Sequence, residues 1–470
     1  MTRSRLPWGL ALLGAALCIS CERAEAPPPR PLSILLITVD TLRADHLGLY
    51  GYARKTSPNV DRWFAGGWVF ERAYATETST SPSVVSILSG VLPQRHRVRL
   101  FYQRVPDATV TVADLLRARG YQTAAVVSNV VLTDEATGLA SRFDWYDDFV
   151  DEKESRRQVW QRSATRTTDA ALQWLVTRRD ASRPHLLWVH YIDPHGPYEP
   201  PADAPQRFAH SGTKPVEHSR ILDYQRDPAI TDALDYVDRY DEEIAYCDRE
   251  IGRLLDAYTR RVALEDALLI FSADHGEAMA EHEFWFTHSY DLYEGIARVP
   301  LALRIPGRDA ERFSVPVSLV DLLPTMLELT GAPVPAGLDG VSLLRFAGEE
   351  PDAARPVYVE ATDFSGKAQR RALIGKDRKW VVQLRRPEGE VTRRYRFDLD
   401  TDPGETTFLP WDEADAARGA ELVRIAGSDP DPAGSPREFE HGRKLGSPKV
   451  RPDVSPEVRE KLRALGYVSD

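Results

Sequence analysis

The chain is poor in cysteine, in long apolar runs and in net positive charge. Its three cysteines are Cys18, Cys21 and Cys247, and two of them sit near the N-terminus. That excludes a disulfide framework or a cysteine-built zinc site for the body of the chain. Past the N-terminus no run of about 18 apolar residues occurs, so no membrane-spanning helix is expected there. Lys and Arg total 60 against 71 Asp and Glu, a net charge of −11. With a pI near 5.6 the chain does not fit nucleic-acid binding, which relies on basic surfaces. Disorder is equally at odds with 42% hydrophobic residues, 10 Trp, 18 Tyr and 15 Phe. A length of 470 residues suits about three domains, or one large α/β domain with a smaller companion.

The first thirty residues read as an address. Arg3 and Arg5 precede an apolar stretch over 8–19, too short to span a membrane and suited to a signal peptide. Ser20-Cys21 then resembles a bacterial lipobox, with Cys18 three places before Cys21 and Leu17 one place off. A Pro-rich tether follows, Ala26-Pro27-Pro28-Pro29-Arg30-Pro31. The expectation is a signal peptide over 1–20, then a lipidated Cys21 and tether over 21–31. The protein would be exported to the periplasm or outer membrane with the lipid as its membrane contact; plain secretion is the alternative. One acyl chain holds weakly, so stable anchoring takes more than one.

The body alternates strand-like and helix-like segments. Ser33–Val39 (SILLITV) is continuously apolar and stops at Asp40, the pattern of a strand buried on both faces. Gln122–Val127 ends at Ser128-Asn129, residues 186–189 run into His190 and Asp193, and residues 267–271 end near Asp274-His275. Helical patterns lie between them, over 83–88, 112–119, 167–178 and 233–259. This predicts a doubly wound, mostly parallel α/β sheet covered by helices, with its ligand site at the carboxyl ends of the strands. The last third differs. Residues 357–361, 380–384 and 395–399 read as consecutive short strands, hence a small antiparallel subdomain. Residues 403–452 read as irregular, and 455–465 as a helix with Ser455 at its cap and Pro456 at its first turn. The expected division is a catalytic domain over 32–345 and a C-terminal subdomain and tail over 346–470.

Four clusters carry candidate chemistry. Thr80-Ser81-Pro82-Ser83 opens a helix that Gly90 would stop. A hydroxyl there faces unpaired N–H groups that favour anions, although most such segments are only caps. Asp40 and Asp274-His275 each follow a buried strand, and two carboxylates with an imidazole can hold a divalent cation with an open position. A lone Asp at a strand end is more often a helix cap. His190 to Tyr198 packs two His and one Asp, Asp193, into a short stretch suited to metal or anion contact, or simply to a polar loop. His288 is the fourth piece, and alone would be structural. Cys247, in an amphipathic stretch, reads as a buried structural thiol.

Taken in order, these segments resemble the sulfatase family of the alkaline phosphatase superfamily. Residues 34–51 (ILLITVDTLRADHLGLYG) resemble its first metal strand, and 57–70 the element after it. Residues 80–90 keep the spacing of its nucleophile motif, Cys/Ser-x-Pro-Ser-Arg-x-x-x-Leu-x-Gly. Asp193-Pro194-His195, Asp274-His275-Gly276, Leu292-Tyr293-Glu294, Arg298-Val299-Pro300-Leu301 and 317–344 resemble later motifs, and Lys379-Trp380 and Leu399-Asp400 the final sheet. Several positions depart from the family pattern. Thr80 stands where the family carries the Cys or Ser that becomes formylglycine, and Val84 replaces the motif's Arg. Thr41 replaces the second Asp of a pair, Ser128 and Val130 stand where Lys and His would bind sulfate, and His275 stands in place of Asn.

What the resemblance implies is a metal-dependent hydrolase of sulfate or phosphate/phosphonate esters, with Thr80 as an unmodified nucleophile. Asp40, Thr80, Asp274 and His275 would hold one divalent cation (Ca, Mg, Mn or Zn). His195 and His288 would act on the transferring group and the leaving oxygen. His190 and Asp193 are candidates for a second metal or for substrate. The substrate would be an anionic ester of a glycan, lipid or small molecule. Without an aldehyde the formylglycine route is closed, which favours phosphoryl or phosphonyl transfer, whereas overall similarity favours sulfate. A head-group transferase and an anchored pseudoenzyme are the alternatives. Residues 201–230 are expected to cover the mouth of the pocket.

Overall fold

The computed structural model describes residues 31–427 apart from 102, 151, 154–159, 348–354, 364 and 387–388. The signal segment, Cys21, the tether up to residue 30 and the helix expected over 455–465 lie outside the described residues. In chain order the strands are β1 (Ser33–Val39), β2 (Trp68–Tyr74), β3 (Gln122–Val127), β4 (Trp145–Asp147), β5 (Glu152–Lys153), β6 (Trp160–Gln161), β7 (His185–Tyr191), β8 (Ala267–Ala273), β9 (Arg298–Val299), β10 (Leu301–Arg304) and β11 (Glu311–Ser318). β12 (Val357–Thr362), β13 (Ala368–Ile374), β14 (Arg378–Arg385) and β15 (Glu390–Asp398) follow.

The main sheet has nine strands in the order β11-β2-β10-β8-β1-β7-β3-β4, with β9 beside β2. β8, β1, β7, β3 and β4 pair in parallel, as do β11 and β2, while β10 is antiparallel to both its neighbours. Every residue of β1, β7 and β8 is buried, so helices and loops cover both faces. That is why these strands carry mostly apolar residues on both faces rather than alternating. Burial of Ile34, Leu35, Leu36 and Ile37 contributes about 1.5–3 kcal/mol per side chain, an upper range because unfolded chains already hide some surface.

The four central strands, β8, β1, β7 and β3, end next to one another. Asp274, Asp40, Asp193-Pro194-His195 and Ser128-Asn129 follow them directly. Strand order therefore delivers polar residues far apart in sequence to one edge, the usual ligand position in such sheets.

The C-terminal strands form a separate antiparallel sheet, β12-β13-β14-β15. It is fastened to the segment leading into Thr80. Glu360 N–H donates to Thr76 O (2.9 Å), and Glu360 pairs with the buried Arg99 at 2.7 Å. Residues 403–452 are not irregular throughout: an α-helix occupies Ala416–Gly427, entered through a reciprocal cap between Asp412 and Asp415. Among the described residues no helix is long and apolar enough to cross a membrane.

Candidate active site

Thr80 is the first residue of the Thr80–Ser89 helix, two positions earlier than its proline suggests. Pro82 is tolerated because N–H groups in a first turn have no intrahelical partner. Gly90 ends the helix in a left-handed turn, φ 66°. Three hydroxyls pin the helix entrance: Ser79 Oγ to Ser289 Oγ (2.7 Å), Ser81 Oγ to Val131 O (2.9 Å) and Ser83 Oγ to Asp274 O (2.6 Å).

Thr80 Oγ1 faces the strand-end groups. It lies 3.4 Å from both carboxylate oxygens of Asp40 and 3.2 Å from His275 Nε2. Asp40, Asp274 and His275 are buried and offer ligand atoms that all lie within 4.8 Å of one another. The His275 tautomer follows from its partner. Nδ1 lies 2.9 Å from Gly276 O, a pure acceptor, so Nδ1 carries the hydrogen and Nε2 presents its lone pair to the cluster. Burial pushes His275 down to about 3, which keeps that lone pair available at neutral pH.

Asp274 accepts His275 N–H at 2.8 Å through Oδ1, while its buried Oδ2 has no hydrogen-bond partner. Burial, and then the charge of Asp40, push the Asp274 carboxyl well above the ordinary range. Burial also works against ionisation of Asp40, but the facing His190 N–H and the imidazoles around it outweigh that, and its carboxyl is held below the usual range. A buried, orphaned carboxylate oxygen beside a second carboxylate and an imidazole lone pair is the donor set of a divalent cation. The residues therefore fit the expected metal.

Asp40 is aimed by two neighbours. Asn129 Nδ2 donates to Oδ2 at 2.5 Å. His190 Nε2 stands 3.6 Å from the same oxygen. Trp188 Nε1–H donates to Thr38 Oγ1 (2.9 Å), which leaves the Thr38 hydroxyl hydrogen for His190 Nδ1 (2.9 Å). His190 Nε2 therefore carries a hydrogen directed at Asp40. Thr41, next in sequence, sits at φ 53°, a strained conformation for a β-branched residue. Tyr240 O–H holds the turn by donating to Thr41 O at 2.7 Å.

His195 and His288 complete the cluster. Their rings are 5.2 Å apart, and the His288 ring is 4.6 Å from that of His275. His195 Nδ1–H donates to Gly196 O at 2.6 Å, making its Nε2 the acceptor. Glu277 joins them, a residue that sequence reasoning does not single out. It is fully buried, accepts Tyr198 O–H at 3.2 Å and lies 3.2 Å from His288 Nδ1. Burial raises Glu277 to about 7 and lowers His288 to about 4. Asp193 lies outside the Asp40–Asp274–His275 group, and its charge acts on Tyr246 and Cys247 of the Ala233–Thr259 helix. Asn129 and Glu277 follow strand ends like Asp40 does, a signal that could have marked them.

Known proteins point the same way. A family model described as sulfatase matches residues 33–332. An arylsulfatase of Clostridium perfringens is 27% identical over 445 residues, covering 80% of this chain and 90% of its own. A solved 2-O GAG sulfatase has a TM-score of 0.67 at 20% identity, covering 85% of this chain and 91% of that one. A phosphonate monoester hydrolase of Agrobacterium radiobacter has a TM-score of 0.63 at 20% identity, covering 86% and 96%. At such identities the two structures speak for the fold alone. The family model spans well over half the chain, across every strand end just described, and the chain belongs to the sulfatase family of ester hydrolases.

Proposed function

We propose that the protein hydrolyses sulfuric esters, with phosphoric and phosphonic esters as a second class, and that Thr80 Oγ1 is the nucleophile. The observation that carries this reading is the position of Oγ1, 3.4 Å from both Asp40 oxygens and 3.2 Å from His275 Nε2. Family membership supports the sulfuric class. The phosphorus class is supported by the unmodified hydroxyl, whose phosphate or phosphonate ester can be reopened by water.

Asp40, Asp274, His275 and Thr80 would hold a divalent cation, which supplies positive charge that acidifies a nearby hydroxyl and stabilises developing negative charge. Thr80 Oγ1 forms the new bond to sulfur or phosphorus as its hydrogen passes toward Asp40. The bond to the leaving oxygen breaks on the far side. His288 protonates that oxygen from Nε2, while the proton of the neutral Glu277 carboxyl moves onto His288 Nδ1 across their 3.2 Å contact. Burial favours the protonated carboxyl of Glu277, the form that this transfer uses. General acid catalysis of this kind is worth about 10²–10⁴-fold. Water then cleaves the Thr80 ester, and the returned proton resets the pair. His195, with Nε2 as its acceptor, would take a hydrogen bond from the water that attacks the Thr80 ester.

The leader over 1–20 and Cys21 support export to the periplasm or outer membrane as a lipoprotein, tested by lipid labelling of a Cys21→Ala variant. For the activity, the test is p-nitrophenyl sulfate, phosphate and phenylphosphonate turnover with and without chelator. Turnover that needs metal supports the reading. Metal-loaded protein inert toward every ester refutes it.

A further inference from the structure

The active site is closed. Thr80, Asp40, Asp274 and His275 are 0% exposed, and His288 and His195 only 1% and 3%. An ester reaches Thr80 only if something covering it moves. The loop between Glu199 and the Ala233–Thr259 helix is largely exposed but dips inward at Ile221, Tyr224, Gln225, Asp227 and Ile230. At the bottom of that dip the Tyr224 ring stacks on His195, centroids 6.0 Å apart and planes 20° from parallel. Its phenol feels the charges of Glu277 and Asp40, so it reaches the catalytic cluster. Gln225 lies against the backbone of Gly196, so closely that a Cβ there would stand 1.8 Å from its amide oxygen.

Gln225 is 0% exposed, and neither its amide nitrogen nor its amide oxygen has a hydrogen-bond partner among the described residues. A buried primary amide with both ends orphaned is costly, and native proteins rarely keep one without a use. Its neighbour stacks on a histidine of the active site, so the orphaned groups stand at the entrance to the chemistry.

We propose that Tyr224 and Gln225 form a plug over the active site, and that Gln225 recognises the alcohol part of the ester by binding a hydroxyl group next to the reacting oxygen. The inference rests on the ester-hydrolase reading above. An amide offers one donor end and one acceptor end, and a hydroxyl is the group that satisfies both. The Tyr224 ring, displaced from His195, supplies a flat apolar face for the carbon skeleton. The favoured substrate is thus a hydroxyl-bearing alkyl ester rather than a plain aryl ester. A site built around unpaired polar groups also rejects partners that leave those groups unpaired.

The test compares Gln225→Leu, and Gln225→Met as a second variant, with the parent. Binding of glucose 6-sulfate and of p-nitrophenyl sulfate is measured calorimetrically in the Thr80→Ala background, with its cation content confirmed by elemental analysis, so that neither turnover nor loss of the Thr80 ligand decides the result. The expected result is about tenfold weaker binding of glucose 6-sulfate, with p-nitrophenyl sulfate changed by under about threefold. Loss of an unsatisfied buried amide should also raise the melting temperature of the ligand-free protein, whereas a merely structural Gln225 would lower it when replaced. Equal weakening of both probes, no change in either, no binding of either, or a lowered melting temperature in both variants overturns the plug. Wild-type turnover decides separately. Turnover with an unchanged preference sinks the plug alone; a lost preference with no turnover of any ester sinks the hydrolase reading alone.

Discussion

Replacing Glu277 by Gln should change stability in a pH-dependent way that the structure fixes in sign and size. Glu277 is fully buried, and burial raises its carboxyl from 4.5 to about 7. A pKa raised on folding means the native state binds the proton more tightly than the unfolded chain. The associated stability is complete below the unfolded value of 4.5 and is lost as pH rises through 7. Each pH unit between those two values is worth about 1.4 kcal/mol, so roughly 3 kcal/mol is lost in all by pH 8. Gln keeps the shape and an acceptor for Tyr198 O–H but has no proton to lose. Glu277→Gln and parent should therefore differ little at pH 5, and the variant should gain on the parent by about 2–3 kcal/mol between pH 5 and 8. The assay is denaturant unfolding in chelator across that range, with the fitted slope checked for constancy. Bound cation favours the carboxylate, so metal loading should shrink the gain. A pH-independent difference in chelator would refute the reasoning. The substituted amide also has no proton to pass to His288, so alkyl esters should slow more than p-nitrophenyl esters.

Three further outcomes follow from the packing and the site. Lys379 is buried between Glu405 (2.6 Å) and Glu294 (2.8 Å), and Lys379→Met would strand both carboxylates at a cost of about 3–5 kcal/mol in chemical denaturation; a loss under about 1 kcal/mol would contradict it. Leu269→Ala, in the middle of β8 with no exposure, should cost about 2–5 kcal/mol, read as a shifted urea midpoint at unchanged slope. Asn129→Ala removes the 2.5 Å donor to Asp40 and should weaken metal affinity about 10–100-fold in a competition titration while leaving the melting temperature of apo protein within a few degrees.

Much of this site is readable in the sequence because its strands are buried on both faces. β1 and β3 run into their ends on apolar residues, Val39 and Ala124–Val127, so the polar residues after them stand out. The outer strands do not. β2 carries Glu71 and Arg72 at half-buried positions, β10 has only four residues, and β11 contains Pro316 with four of its eight residues buried. β13 escapes a sequence reading because Gln369, Arg370 and Arg371 break its apolar pattern; the buried Arg371 donates to Gln369 Oε1 at 2.7 and 3.0 Å and stands 3.7 Å from Glu360. The helix at Ala416–Gly427 hides in a polar stretch because, over 416–422, just Gly419 and Leu422 are buried.

The same division holds in the site. Asp40, Thr80, Asp274 and His275 are legible from strand ends and spacing. Asn129 and Glu277 also stand just after strand ends, but their roles come from burial and contact across the fold, and Gln225 has no local mark at all. Asn129 meets Asp40 from 89 residues away. Gln225 matters through what its amide lacks, which no local pattern reports.

A covalent bond between Thr80 and the transferred group is the centre of the proposed chemistry. Metal-loaded protein should be mixed with p-nitrophenyl sulfate and, separately, p-nitrophenyl phenylphosphonate, quenched in acid within the first turnovers, digested and read by mass spectrometry. The expected result is a sulfo or phosphonyl adduct on the Thr80 hydroxyl from at least one of the two, and turnover that vanishes in Thr80→Ala. Full turnover in Thr80→Ala, or an adduct carried by any other side chain, would contradict it.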